Sequence, residues 1–174
     1  MENNQILTDL KGKRALVTGG TKGIGKAIAD ELAQAGAIVV VSARNQPDSD
    51  NIHHFIAADL TKAGDVAKLE QEINQKFGGI DILINNVGGL TTPPGGFSAL
   101  TNEDWESELQ LNLLAAIRLD RIFLPGMIEQ KNGVVIHISS VAAKQPMWNL
   151  NMAYAVSKAA LNSYSKSLAT ELAS

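Results

Sequence analysis

The chain has 174 residues, 45% of them hydrophobic, with a formal net charge of −3 and no cysteine. That length supports a single globular domain with a buried core over residues 1–174 and is short for two. The slight acidic excess excludes sequence-independent binding to a phosphate backbone, and the missing thiols exclude a disulfide framework or thiolate metal site, which suits a cytoplasmic setting.

In chain order, the opening run MENNQILTDLKGKR carries no apolar signal-peptide stretch, and apolar runs such as AIVVV are too short to cross a bilayer. Neither a membrane nor a nucleic acid is therefore expected as a partner. Arg14–Thr18 (RALVT) reads as a short buried strand running into glycines, and residues 24–34 (IGKAIADELAQ) show helical spacing closed by Gly36. Strands follow at 37–42 (AIVVVS), 54–58 (HFIAA), 80–84 (IDILI) and 134–139 (VVIHIS), and helices at 63–77, 102–129 and 152–172. Strands alternating with helices predict right-handed crossovers and a mostly parallel sheet with helices on both faces, a doubly wound α/β Rossmann fold in three layers. The glycine-rich stretch 88–98 (GGLTTPPGGFS) is read as a loop at the sheet's edge, where such folds place binding residues.

Between the first strand and the first helix stands TGGTKGIG, residues 18–25, with glycines at 19, 23 and 25. A glycine turn that opens a helix lets a pyrophosphate approach free N–H groups where the helix dipole favours anions. The bland alternative is a tight turn without a ligand. At the end of the second strand, VVVSARN offers Arg44 and no carboxylate. An acidic residue there would bond a ribose 2′-hydroxyl, whereas Arg suits a 2′-phosphate, so Arg44 with Lys22 points to NADP(H) in preference to NAD(H). Read blandly, the two are solvated surface cations.

The later stretch NMAYAVSKAAL places Tyr154 four residues before Lys158, one helical turn apart on the same face. Reduction of a carbonyl needs a hydride at carbon and a proton at oxygen, and a free phenol is poorly matched to neutral pH. A nearby ammonium favours the phenolate, so Lys158 would make Tyr154 a usable acid or base.

TGGTKGIG, AADL with Asp59, NNVG at 85–88, Asn112, ISS at 138–140 and YAVSK at 154–158 occur in this order and together resemble the short-chain dehydrogenase/reductase family. The resemblance implies that Gly19, Gly23, Ile24 and Gly25 line the pyrophosphate of the cofactor, that Asp59 contacts the adenine, and that Asn85 fixes the fourth strand. Thr21, Lys22, Arg44, Leu60, Asn86, Gly88, Tyr154 and Lys158 complete the expected cofactor-binding set. Asn112, Ser140, Tyr154 and Lys158 would form the catalytic tetrad: Ser140 donating to the substrate oxygen, Lys158 bonding the nicotinamide ribose, and Asn112 supporting a water that relays protons to Lys158. The interval from Ser140 to Tyr154 is one residue longer than is common in the family, and Ser139 stays open beside Ser140.

Two features depart from the family pattern. Val87 stands where Ala is usual, and the sequence stops at Ser174, whereas family members continue into two further strands and a segment that covers the substrate. The expected activity is an oxidoreductase on a small-molecule carbonyl or alcohol. The alternative is a nucleotide-binding fragment or inactive relative without a closed substrate pocket.

Other constellations lead nowhere. His53, His54 and His137 lack a metal-ligand spacing, so no metal site is expected, and His137 reads as a core or interface histidine. Trp105 reads as packing, and Trp148 as packing or a border of the substrate site. The long helices need partners for their apolar faces, and in the family they pair between subunits, so a homo-oligomer, dimer or tetramer, is expected.

Overall fold

Buried β-branched runs become strands in the computed structural model, which describes residues 9–47 and 53–173. The strands are β1 (Arg14–Thr18), β2 (Ile38–Ala43), β3 (His54–Ala57), β4 (Ile82–Asn85) and β5 (Val134–His137). The helices are α1 (Gly23–Gln34), α2 (Ala63–Phe77), α3 (Asn102–Leu109), α4 (Ala115–Glu129) and α5 (Trp148–Leu172). All pairings are parallel, in the order β3-β2-β1-β4-β5. The direction of winding reverses between β1 and β4, and such a switch point opens a crevice at the carboxyl ends of the strands.

Because successive strand residues face opposite ways, the sheet carries a core on each face. Leu16, Val40, Ile56 and Leu83 on one face pack with Leu69 and Ile73 of α2 and with Leu119, Phe123 and Met127 of α4. Ala15, Val17, Val39, Val41, Ile82 and Ile84 on the other face pack with Ala29, Ile28 and Leu32 of α1. Val134 and Ile136 of β5 remain 49% and 44% exposed on that second face. This is the doubly wound α/β sheet with helices on both faces that the alternating pattern predicts.

Strand ends differ from the sequence reading by one or two residues, as β4 at 82–85 against 80–84 and β5 at 134–137 against 134–139, and three larger features differ as well. The helix expected over 102–129 is α3 and α4 joined by one π-helical turn, Gln110–Leu114, which widens the winding around Asn112. The last helix begins earlier, at Trp148, and breaks at Asn151, whose φ of −144° and ψ of 32° are not helical. Asn151 Oδ1 accepts from the Met147 N–H at 3.0 Å, a local bond that competes with the helical ladder. Loop 88–98 leaves β4, an interior strand, rather than an outer edge of the sheet. Among the described residues no helix is long and apolar enough to cross a membrane.

Candidate active site

The crevice at the switch point is a cleft of about 820 Å³. One end of it is built by the turn between β1 and α1. Lys22 occupies the N-cap of α1 and among the described residues no side chain caps the helix start, which borders the cleft lined by Thr21, Lys22, Gly23 and Ile24. A Cβ at Gly25 would stand 2.3 Å from the Gly19 carbonyl oxygen and 2.5 Å from Asn86 Nδ2. Only glycine lets the turn close against β4. Asn86 Nδ2 then donates to the Thr18 carbonyl at 2.9 Å, and Thr18 Oγ1 accepts from the Asn86 N–H at 3.0 Å, so the ends of β1 and β4 are tied where an anion would sit. These features, a helix start without a cap over a backbone stripped of side chains, fit a dinucleotide pyrophosphate.

At the outer end, Arg44 follows β2, is exposed, and lines the cleft with Lys22. Among the described residues neither forms a salt bridge, which leaves two cations facing one end of the cleft. Asp59 and Leu60 form the wall beyond β3. Asp59 Oδ1 accepts from Thr61 Oγ1 at 2.7 Å and from the Thr61 N–H at 3.1 Å, and these bonds hold its carboxyl below the usual range.

At the inner end, α5 brings Tyr154 and Lys158 to the same cleft. Lys158 is 3% exposed. Its Nζ donates to the Ile138 carbonyl at 2.8 Å and lies 6.0 Å from the centre of the Tyr154 ring. Burial pushes the ammonium below its ordinary value of 10.5, and among the described residues no carboxylate pairs with it. Asn112, also buried, sits in the π-helical turn. Its Oδ1 accepts from the Gly89 N–H at 2.8 Å, and its Nδ2 donates to the carbonyls of Gly89 at 2.9 Å and Glu108 at 3.1 Å. Gly88 separates the two side chains, since a Cβ there would lie 2.8 Å from Asn112 Oδ1 and 2.9 Å from Lys158 Nζ.

The serines divide. Ser139 lines the cleft, and its Oγ is buried with no hydrogen-bond partner among the described residues. Ser140 is not among the lining residues, and its Oγ accepts from the Ala142 N–H at 3.2 Å, capping the short turn Val141–Ala143. Of the expected set, Gly19, Thr21, Lys22, Gly23, Ile24, Gly25, Arg44, Asp59, Leu60, Asn86, Gly88, Tyr154 and Lys158 all line one cleft, while Asn112 stands behind the wall.

Glu108 is a feature that sequence reasoning missed. It is fully buried, and its Oε2 accepts from Thr91 Oγ1 at 2.5 Å and from the Thr91 N–H at 3.2 Å, pinning a lining residue of loop 88–98. The loop is also held by Gly95 N–H donation to the Asn149 carbonyl at 2.9 Å, with Trp148 packed on Gly96 and 67% exposed. The three histidines serve separate contacts: His53 pairs with Asp30 at 2.8 Å, His54 tilts on Phe77, and His137 pairs with Asp120 at 2.9 Å.

A family model described as short chain dehydrogenase matches residues 13–174. The uncharacterized oxidoreductase YvrD of Bacillus subtilis is 36% identical over 169 residues, covering 92% of this chain and 63% of its own length. The 3-oxoacyl-acyl-carrier-protein reductase FabG of Vibrio cholerae is 35% identical, over 95% of this chain and 70% of its own. Among solved structures, the L-sorbose reductase of Gluconobacter frateurii, complexed with NADPH and L-sorbose, superposes with a TM-score of 0.86 at 35% identity, over 95% of this chain and 66% of that one. The chain thus spans between 63% and 70% of the length of these proteins.

Proposed function

The chain belongs to the short-chain dehydrogenase family, and from that premise we propose that it is an NADP(H)-dependent oxidoreductase interconverting a carbonyl and an alcohol on a small molecule. The observation that carries the reading is the buried Lys158, fixed on the Ile138 carbonyl at 2.8 Å beside Tyr154 in the same cleft as the uncapped start of α1. A bound nicotinamide supplies or takes the hydride. The chain's own residues handle the proton and the geometry.

Tyr154 gives its hydroxyl proton to the carbonyl oxygen in reduction and takes it back in oxidation. Lys158 stabilises the phenolate left behind, because an ammonium held in a low-dielectric wall acts more strongly than one in water. Ser140, or Ser139 with its unpartnered buried Oγ, donates to the substrate oxygen and holds it beside the phenol. Asn112 fixes loop 88–98 and the space around Lys158 through which a water would restore the proton. Arg44 and Lys22 supply the positive end that a 2′-phosphate needs, a preference supported by the NADPH in the L-sorbose reductase complex. A homo-oligomer through α4 and α5, checked by sedimentation, is part of the same reading.

Titration of the purified chain with NADPH and with NADH, read by nicotinamide fluorescence, tests the cofactor half. A screen of small aldehydes and ketones with Tyr154→Phe as control tests the chemistry. Tight NADPH binding with turnover that disappears in Tyr154→Phe is the expected result. Binding without turnover of any carbonyl would favour the nucleotide-binding alternative, and failure to bind either nucleotide refutes the reading.

A further inference from the structure

The sheet face under α4 is apolar for most of its length, where Leu83 and its register partner Val135 share a cluster with Leu119 and Phe123. One step further along the same face the paired residues are Asn85 and His137, the last residues of β4 and β5. Asp120 of α4 meets them both. Its side chain is fully buried; Oδ1 accepts from Asn85 Nδ2 at 2.8 Å, and Oδ2 lies 2.9 Å from His137 Nε2. The other ring nitrogen of His137 lies 3.0 Å from Ser165 Oγ on α5, and the Tyr164 ring stands edge-on to it at 5.7 Å. Burial, followed by the charge of Asp120, pushes the Tyr164 hydroxyl up from its ordinary value.

A buried carboxylate is a poor means of stabilising a fold, since apolar residues of the same volume often do as well or better. Hydrogen bonds add direction instead: they allow one arrangement of the groups they join. The residues joined here are those that immediately precede the cleft wall. Asn85 is followed by Asn86, Val87 and Gly88; His137 is followed by Ile138, whose carbonyl accepts from Lys158 Nζ, and by Ser139. Ser165 and Tyr164 lie on the helix that carries Tyr154 and Lys158.

We infer that Asp120 is a positioning residue of the dehydrogenase site, its carboxylate fixing the ends of β4 and β5 to each other and to α5 so that the Ile138 carbonyl stands within reach of Lys158. The function of this geometry rests on the oxidoreductase reading, while the geometry itself can be tested in the chain without any nucleotide.

The variants are Asp120→Asn, which keeps the shape but loses the charge, His137→Leu, which removes the partner, and His137→Gln, whose side-chain amide can still donate to Asp120. The first readout is the titration midpoint of Lys158 in the nucleotide-free chain, followed by NMR of ε-labelled lysine. The midpoint shifts downward in Asp120→Asn and His137→Leu, because the charged amine loses its acceptor, and returns toward wild type in His137→Gln. The second readout is NADPH affinity, which weakens about tenfold in the same two variants and adds little when combined with Lys158→Met. Variants that melt earlier while leaving the Lys158 midpoint at its wild-type value would make Asp120 a purely structural residue and overturn the inference. So would full additivity with Lys158→Met. A wild-type chain that binds no NADPH while the Lys158 midpoint still shifts would refute the oxidoreductase reading and leave the positioning role established. Should Asp120→Asn fail to fold, the His137 pair decides alone.

Discussion

Gly88→Ala tests whether the space between Asn112 and Lys158 is functional. The new methyl would begin 2.8 Å from Asn112 Oδ1, 2.9 Å from Lys158 Nζ and 3.4 Å from Lys158 Cε. Ordinary contact for such atoms starts at about 3.5 Å, so the methyl is too close to both by about 0.7 and 0.6 Å, and if one neighbour stays in place the other retreats by up to about 1.3 Å. Asn112 is held by bonds to Gly89 N–H, Gly89 O and Glu108 O, whereas among the described residues the amine of Lys158 bonds the Ile138 carbonyl alone, so the lysine tip yields. Moved that far, a 2.8 Å bond stretches out of hydrogen-bonding range. A hydrogen bond from a charged donor contributes about 1.5–3 kcal/mol, and the same loss at the cofactor is about a 10- to 100-fold weaker NADPH complex. Overpacking should also lower the melting temperature by a few degrees. The assay is NADPH titration by nicotinamide fluorescence beside a thermal melt of the same sample. If Gly88→Ala binds NADPH as wild type does, the lysine position does not matter to the cofactor and the reasoning fails.

Arg44→Asp should weaken NADPH by about tenfold or more and leave NADH nearly untouched, as measured by parallel titrations; equal losses for both nucleotides would remove the 2′-phosphate from the argument. Asp81 accepts from the Arg14 N–H, Nε and Nη2, each at 2.9 Å, and the Arg14 side-chain bond is the leading cause that holds its carboxyl down at about 2. A carboxyl lowered on folding stabilises above its unfolded value of 3.8 and loses that contribution as pH falls through about 2. Asp81→Asn should therefore lower the melting temperature at neutral pH by about 4–8 °C, from about 2 kcal/mol, with the gap to wild type closing in acid melts. Lys158 gives the same sign of pH dependence in an alkaline window. Its folded value is lowered, so the unfolded chain holds more protons in the window below 10.5 and stability rises with pH across it. In Lys158→Met the denaturation midpoints should lose this alkaline rise, and a variant that retains it would assign the effect elsewhere.

What the sequence discloses follows from the range of each signal. Arg14–Thr18 and the helix over 63–77 were readable to the residue, because period and flanking glycines are local. The glycine turn and the Tyr154–Lys158 spacing were equally local, and the cleft gathers them. The π-helical turn at Gln110–Leu114 was not readable, since LNLLAA has apolar residues enough for either winding; the backbone bond from the Ala115 N–H to the Gln110 carbonyl distinguishes them in the fold. Glu108 carries no sequence sign of burial, because its partner Thr91 sits in a glycine-rich loop whose path no periodicity describes. His137 was legible as a core or interface histidine, but its purpose was not. Asn85 and Asp120 belong to it only after β4 and β5 pair in register and α4 lies across them. A carboxylate at that place makes sense only as a join between strands, and a join is a property of the folded sheet; local patterns can supply its members and never their meeting. For that reason the residues that touch a cofactor are the easier half of such a site to read, and those that hold the first set in place have to be found in the fold.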